Sequence, residues 1–199
     1  MGIPERKARE KEQIRKAILS TAWQMVKEDG WQSLSIRKIA DAIEYSVPVI
    51  YDHFEKKEAI LLEFGKEGFM MLAKKFKQAK EKKADPADQL KLMANAFWDF
   101  ASRHKEYYQL MYGQGMMGCE IEKCLPEKAD FRNMISEPLS ALMKKGKNPR
   151  ADVCLKYYTF WSILHGLIAM KNMRSTGVSD EINKMVMEDA IAGFIKNLG

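Results

Sequence analysis

Residues 35 to 61 contain side chains whose types suit contact with DNA bases. Arg37 offers hydrogen bonds to base edges, whereas Val47 and Pro48 offer apolar contact to thymine methyl groups. Tyr51 follows Val47 by four residues, so both lie on one side of a helix. Such side chains read a DNA sequence when a helix carries them into the major groove. The chemistry predicted here is therefore recognition of double-stranded DNA.

Two short helices joined by a three-residue turn are predicted to position these side chains. The hydroxyl groups of Ser35 and Ser46 are expected to cap the first and second helix. Pro48 is tolerated near a helix start, because the first N–H groups of a helix have no intrahelical partner. Recurrence every three or four residues predicts the inward-facing set Ile36, Ile39, Ala40, Ile43, Val49, Ile50 and Phe54. Together these features predict a helix-turn-helix motif.

This stretch resembles the DNA-binding domain of the TetR family of bacterial transcriptional repressors. The matching residues are Ser35, Ile39, Ala40, Tyr51, His53, Phe54, Lys57, Glu58, Ile60 and Leu61. Upstream, residues 9 to 31 resemble the family's first helix, closing on Asp29, Gly30 and Trp31. Further on, Trp161, His165 and Gly166 resemble a Trp-His-Gly signature of one group of C-terminal domains. Glu44 departs from the pattern, since the family usually has glycine there, and a positive φ would cost about 1 kcal/mol.

The resemblance implies a DNA-binding site made of Ser35, Arg37, Ser46, Val47, Pro48, Tyr51, His53 and Lys57. At the matching family positions, Ser35, Tyr51, His53 and Lys57 mainly touch phosphates, which positions the helix without specifying a sequence. Family members often carry a polar or basic residue in place of Val47. Hydrogen-bond readout of bases by this helix is therefore expected to be sparse.

Positive charge is concentrated in the half of the chain that carries this motif. Residues 1 to 83 contain 18 Lys and Arg against 13 Asp and Glu, a net charge of +5, whereas the rest has a net charge of +1. The basic N-terminal segment contains Arg6, Lys7, Arg9, Lys11, Arg15 and Lys16. Such charge runs are usually solubilising helix ends, but next to a helix-turn-helix this one is predicted to attract phosphates.

The composition is that of a soluble globular protein, with 46% hydrophobic and 30% charged residues in 199. We expect a cytoplasmic location, because neither an apolar run of about 18 residues nor a secretory signal is visible. Cys119, Cys124 and Cys154 contain no C-x-x-C pair, which favours reduced thiols. We predict no metal site and no cofactor.

Helical spacing continues along the rest of the chain, and no stretch alternates with a period of two. A long helix is predicted over residues 57 to 83, followed by a helix that starts at Asp85 and Pro86. Asn148 and Pro149 are predicted to precede a helix to about Arg174, and Ser179 to start the last one. The predicted fold is all-α, with a helix-turn-helix domain at 1–56 and a ligand-binding and dimerisation bundle at 57–199.

The last two helices have more apolar surface than one core requires. Apolar residues surround the helix axis over residues 157 to 170. The final helix has one stripe at Ile182, Met185, Val186 and Phe194, and another at Met187, Ile191 and Ile195. The second stripe is expected to face a partner, which predicts a homodimer, and the resemblance implies the same interface. The alternative is a helix buried centrally in one protomer.

Methionine and aromatic residues are concentrated from Met70 onward, where 12 of the 14 methionines lie. Such side chains form adaptable apolar walls, although core packing explains most of them. A small apolar or aromatic effector is predicted to bind among Met93, Phe97, Tyr108, Met111, Tyr112, Trp161, His165 and Met170.

Other functions receive less support from the sequence. Gly113, Gly115 and Gly118 match G-x-G-x-x-G, but no strand precedes them as a dinucleotide site requires. A helical enzyme using His165 would lack a paired base and nucleophile. The predicted function is a ligand-responsive, dimeric transcriptional repressor that binds a palindromic operator. The alternative is a DNA-binding dimeric adaptor regulated by a protein partner.

Overall fold

The computed structural model of the chain describes residues 2–113, 128–146, 152–172 and 177–198. Within these ranges it contains helices and no strands, which confirms the all-α prediction. The helices are α1 (Ile3–Asp29), α2 (Ile36–Ala42), α3 (Val47–His53), α4 (Lys57–Glu81), α5 (Pro86–Arg103), α6 (Lys105–Tyr112), α7 (Lys128–Lys145), α8 (Val153–Asn172) and α9 (Asp180–Lys196). A short 3₁₀ turn, Trp31–Ser33, connects α1 with the segment before α2.

Among the described residues, two of the predicted helix starts have a side-chain cap. Asp85 accepts a hydrogen bond from the backbone N–H of Asp88 at 3.1 Å, and Ser179 accepts one from Ile182 at 3.3 Å. The prediction was wrong for Ser46, because Pro48 has no N–H and the N–H of Val49 already bonds to the Ser46 carbonyl. It was also wrong for Ser35, which begins α2 without a side-chain cap, where water can satisfy the exposed first turn.

Residue contacts divide the chain into two compact units. The first contains residues 1–68 and 106–124, and the second contains residues 69–105 and 125–199. The described part of the first unit therefore holds α1 to α3, the beginning of α4, and α6 from Glu106 onward. The first unit thus extends beyond residue 56, where the sequence analysis placed the domain boundary.

Apolar residues at helical spacing form the core of each unit. In the first unit, Ile18, Ala22 and Val26 of α1 are buried together with Ile39, Ile50 and Phe54. The second unit buries residues of α4, α5, α7, α8 and α9, including Phe76, Leu90, Met93, Phe97, Ile135, Leu139, Phe160, Leu164, Met187 and Ile191.

The exposed apolar stripe of α9 contains Ile182, Met185 and Val186. The sequence analysis predicted that the other stripe would face outward, and this prediction was wrong. Met187 and Ile191 are buried in the second unit, and Phe194 belongs with them because it follows Met187 by two turns. The exposed apolar residues of α8 and α9, here called the outer stripe, are Leu155, Tyr158, Met170, Ile182, Met185 and Val186. Asn148, Pro149 and Arg174 lie outside the described residues, so that α8 is described from Val153 to Asn172.

Candidate DNA-binding surface and ligand site

The turn between α2 and α3 is built around a residue in the left-handed region. Glu44 has a φ of 60°, and no other described residue besides glycine has a positive φ. The N–H of Tyr45 bonds to the carbonyl of Ala40 at 3.0 Å, and the N–H of Glu44 bonds to that of Asp41 at 3.3 Å. This is the bonding pattern of a Schellman motif, in which the left-handed position usually holds glycine.

Helix α3 is anchored by two buried residues and presents its other side to solvent. Ile50 and the following Phe54 are buried, whereas Pro48 is exposed and the side chain of Tyr51 is 50% exposed. Among the other predicted DNA-binding residues, Arg37 and Ser46 are exposed, and Ser35, Val47, His53 and Lys57 are half-buried. The structure therefore places Arg37, Pro48 and Tyr51 where a DNA groove can reach them.

A cation from α1 supports the end of α3, and the sequence analysis did not foresee this role. The guanidinium of Arg15 lies 4.5 Å from the centre of the Phe54 ring, and it forms an ion pair with Glu63 of α4 at 2.6 Å. Arg15 thus links α1, the end of α3 and α4. These contacts join Arg15 to residues that follow it by 39 and 48 positions in the chain. Local sequence patterns do not reveal contacts over such separations.

His53, the last residue of α3, has an imidazole that loses its proton more readily than usual. Burial lowers the pKa of His53, and the positive charges of Lys11 and Arg15 lower it further, against an opposing effect of Asp52. The ring is therefore neutral above its ordinary pKa of about 6.5. It can still donate one hydrogen bond to a phosphate oxygen.

In the second unit, three predicted ligand residues lie in one aromatic cluster, formed by Phe76, Phe97, Phe131, Trp161 and His165. The rings of Phe97 and Trp161 meet edge to face at 4.8 Å between centroids, and those of Trp161 and His165 stack at 5.2 Å. Phe131 stacks at 5.1 Å on Phe76 and at 5.8 Å on Trp161. An effector that binds here has to separate these rings.

The imidazole of His165 is the titratable group of the aromatic cluster. Burial lowers its pKa from 6.5 to about 4, so the ring is neutral near pH 7. A neutral imidazole offers one donor and one acceptor without carrying charge. The aromatic cluster therefore carries no ionised side chain near pH 7.

The other predicted ligand residues do not all join this cluster. Met93 is fully buried in the second unit, and Met170 is 55% exposed on the outer stripe because it follows the exposed side of α8. Tyr108, Met111 and Tyr112 lie on α6, which belongs to the first unit by its contacts. A groove of about 230 Å³ elsewhere in the second unit is lined by Lys91, Ala94, Asn95, Met187, Glu188 and Ile191.

Helix α6 packs closely against α1 and the 3₁₀ turn that follows it. The indole N–H of Trp31 donates a hydrogen bond of 2.7 Å to the carbonyl of Glu106, and the rings of Trp23 and Tyr107 lie 4.4 Å apart. At Gly68, an added Cβ would lie 2.6 Å from Met111 Sδ, so a larger residue there would require the Met111 side chain to move. Local sequence patterns do not reveal this contact, and the role of Met111 in a ligand pocket stays a prediction.

Two features are absent from the described residues. There, no group of three or more His, Cys, Asp or Glu side chains is arranged to hold a metal ion. No helix in the same ranges is long and apolar enough to cross a membrane. Cys119, Cys124, Gly115 and Gly118 lie outside the described residues.

Two family models match the chain. The model of bacterial regulatory proteins of the tetR family matches residues 18–64. The model of the tetracyclin repressor-like C-terminal domain matches residues 90–193, which is more than half of the chain. The chain belongs to the TetR family. Members of the TetR family are transcriptional regulators, and the resemblance seen in the sequence is confirmed.

Solved structures share the TetR fold over nearly the whole chain. A protein of unknown function from Rhodococcus sp. RHA1 has a TM-score of 0.73 and 21% identity, covering 92% of this chain and 94% of its own. PfmR, a TetR family regulator from Thermus thermophilus, has a TM-score of 0.63 and 21% identity, with coverages of 91% and 96%. FadR from Bacillus subtilis, solved with stearoyl-CoA, has a TM-score of 0.66 and 17% identity, with coverages of 92% and 96%. Among curated proteins, none matches the sequence.

Proposed function

We propose that the protein is a homodimeric repressor that binds a palindromic operator and is controlled by a small apolar or aromatic effector. The observation that carries the proposal is the exposed side of α3, with Pro48 and Tyr51, held by buried Ile50 and Phe54 in a TetR family chain. Arg37, Val47, Pro48 and Tyr51 contact bases or approach them closely, and Ser35, Ser46, His53 and Lys57 hold the phosphates. Such a regulator acts on the chromosome in the bacterial cytoplasm.

The outer stripe supports the proposal that the protein forms a dimer. Its six apolar residues are exposed on α8 and α9, two helices that pack on each other in the second unit. Between Tyr158 and Met170, the exposed residues of α8 are small: Ser162, Gly166 and Ala169. A Cβ added at Gly166 would meet nothing within 4 Å, so packing inside the protomer does not require glycine there. A second copy can approach α8 closely at these residues, and two half-sites of a palindrome then match the dimer's two-fold axis.

The aromatic cluster supports the proposal that the protein binds an effector. It supplies apolar ring faces and the neutral imidazole of His165, a combination that can bury an apolar ligand and orient one polar group. The complex of Bacillus subtilis FadR with stearoyl-CoA supports a ligand with a long apolar part. Met93 lies one turn before Phe97 in the core of α5 and can line the same site, and Tyr108, Met111, Tyr112 and Met170 remain predictions from the sequence.

Within the described residues, the chain passes twice between the DNA-binding unit and the effector-binding unit. Helix α4 passes from one to the other at Gly68 and Phe69, and the chain passes back at Lys105 and Glu106, where α6 begins. Because Trp31, Trp23 and Gly68 hold α6, a displacement of α6 alters the part of the first unit that carries α2 and α3. An effector that favours the displaced form releases the operator.

The proposal is tested by DNA binding. The wild-type protein is expected to select particular genomic fragments over random DNA, with an affinity that falls steeply as salt rises. Arg37→Ala should weaken binding and relax the base preference, whereas Lys57→Ala should weaken binding to all sequences by a similar factor. Lys77→Ala, an exposed lysine of α4 in the second unit, is the control and should change neither property. Equal affinity of the wild type for random and selected DNA would refute the proposal.

A further inference from the structure

The first turns of α1 extend beyond the core of the DNA-binding unit. Residues 3 to 13 are exposed throughout, and the first buried residue of the helix is Ile18, the same residue at which the tetR family model begins to match. Eleven helical residues span about 16 Å at 1.5 Å per residue. Packing in the protomer core therefore does not explain why α1 begins so far before its first buried residue.

The charges of this extension differ between its sides. On one side, Glu12 pairs with Lys16 at 3.7 Å, while Glu5 accepts a hydrogen bond from the N–H of Gly2 at 2.9 Å near the start of the helix. On another side, Lys7 and Lys11 follow each other by one turn, and neither forms an ion pair with a described residue. Lys7 and Lys11, here called the basic row, therefore keep their charges available for a partner.

The basic row leads toward the DNA-contacting helix. Arg15 continues it by one further turn, and Arg15 lies on the ring of Phe54 at the end of α3. The positive charge of Lys11 also contributes to the lowered pKa of His53, the last residue of α3. The two lysines are thus on the side of α1 that adjoins the recognition helix.

We propose that the basic row binds two backbone phosphates of the operator in addition to those held by residues 35 to 57. This inference rests on the proposed DNA-binding function and assigns a new contact to it. Lys side chains one turn apart have Cβ atoms about 6 Å apart, and long flexible stems that adjust to successive phosphates of one strand. Because lysine contacts phosphate as a point charge, the added contacts raise affinity without adding sequence preference.

The test compares two double variants of equal charge change. Lys7→Gln with Lys11→Gln removes the basic row, and Lys74→Gln with Lys77→Gln removes two charges from exposed lysines of α4 in the second unit. Glutamine keeps a high helix propensity, and circular dichroism checks that α1 stays helical. Affinity for an operator duplex is measured by fluorescence anisotropy across a salt series. Ethylation interference then maps which phosphates each protein contacts.

The basic-row variant is expected to lower the slope of log affinity against log salt by about 1.8, since each phosphate contributes about 0.9. It should also lose interference at two phosphates that the wild type contacts, with its base preference unchanged. The Lys74 and Lys77 variant should keep the wild-type slope and pattern. An unchanged slope for the basic-row variant, or an equal change in both variants, overturns the inference. Absence of any operator preference in the wild type would instead refute the proposed function.

Discussion

Glu44 shows how one residue can fit a motif whose usual residue it lacks. Its φ of 60° places it in the region where a Cβ approaches the neighbouring carbonyl oxygen. The backbone bonds from Glu44 and Tyr45 to the carbonyls of Asp41 and Ala40 nevertheless form. The helix-turn-helix therefore keeps its geometry, because the buried contacts of α2 and α3 offset the strain at Glu44.

Glu44→Gly should consequently stabilise the protein. Glycine removes the steric cost of the left-handed conformation, and we expect a gain of about 1 kcal/mol in the free energy of unfolding. Glu44→Ala is the matched control, since it removes the same charge but keeps the Cβ. Urea denaturation followed by circular dichroism measures both variants. Equal stability of the Gly and Ala variants would show that the conformation of residue 44 carries no strain.

At the scale of single residues, the sequence predicted which side chains are buried better than it predicted the contacts that they make. Ile50 and Phe54 were assigned to the core and are buried, because the helical period alone decides which side they occupy. The cation of Arg15 over Phe54 was not foreseen, since it joins positions 39 residues apart. Likewise, the close approach of Met111 to Gly68 was not foreseen, since it depends on how α6 folds back on α4.

At the scale of elements, the helical period identifies the apolar stripes of a helix. It does not decide which of two apolar stripes packs in the core. The two stripes of α9 were recognised in the sequence, but their roles were exchanged. Met187 and Ile191 pack in the second unit with α5, whereas Ile182, Met185 and Val186 are exposed. The prediction failed because both stripes are apolar, and only the tertiary packing of α9 against α5 selects one of them.

This exchange changes the prediction for the dimer. Met185 is 66% exposed on the outer stripe, so Met185→Asp should leave the protomer folded while placing an unpaired charge in the proposed interface. The cost of several kcal/mol should produce monomers. Ile191→Asp, at a residue only 1% exposed, should instead lower the thermal stability of the protomer. Sedimentation velocity and thermal denaturation distinguish the two results.

Lys184→Asp provides the control for the dimer prediction. It introduces the same aspartate one position before Met185, at an exposed residue outside the outer stripe, and should leave the dimer intact. A dimer that persists in Met185→Asp would place the interface elsewhere. Dissociation of the Lys184 variant as well would attribute the effect to net charge.

At the scale of the whole molecule, regulation requires that effector binding and DNA binding favour different conformations. Moving a population from mostly DNA-binding to mostly released requires about a 10⁴-fold preference of the effector for one form, or about 5.5 kcal/mol. Part of this preference has to offset the separation of rings in the aromatic cluster. Contacts such as Phe97 on Trp161 and Trp161 on His165 contribute about 0.5–1.5 kcal/mol each beyond burial. A large apolar ligand can replace them, and a small polar one cannot.

Thermodynamic reciprocity gives the last prediction. If an effector lowers operator affinity by some factor, operator DNA must lower effector affinity by the same factor. Stearoyl-CoA and uncharged aromatic compounds are titrated into the protein with and without operator, using the fluorescence of Trp161 and Trp98, both buried in the second unit. Trp161→Phe identifies the part of the signal that arises in the aromatic cluster, and random duplex DNA is the control for the operator. A ligand whose affinity is the same with and without operator would refute the coupling, even if it binds among these rings.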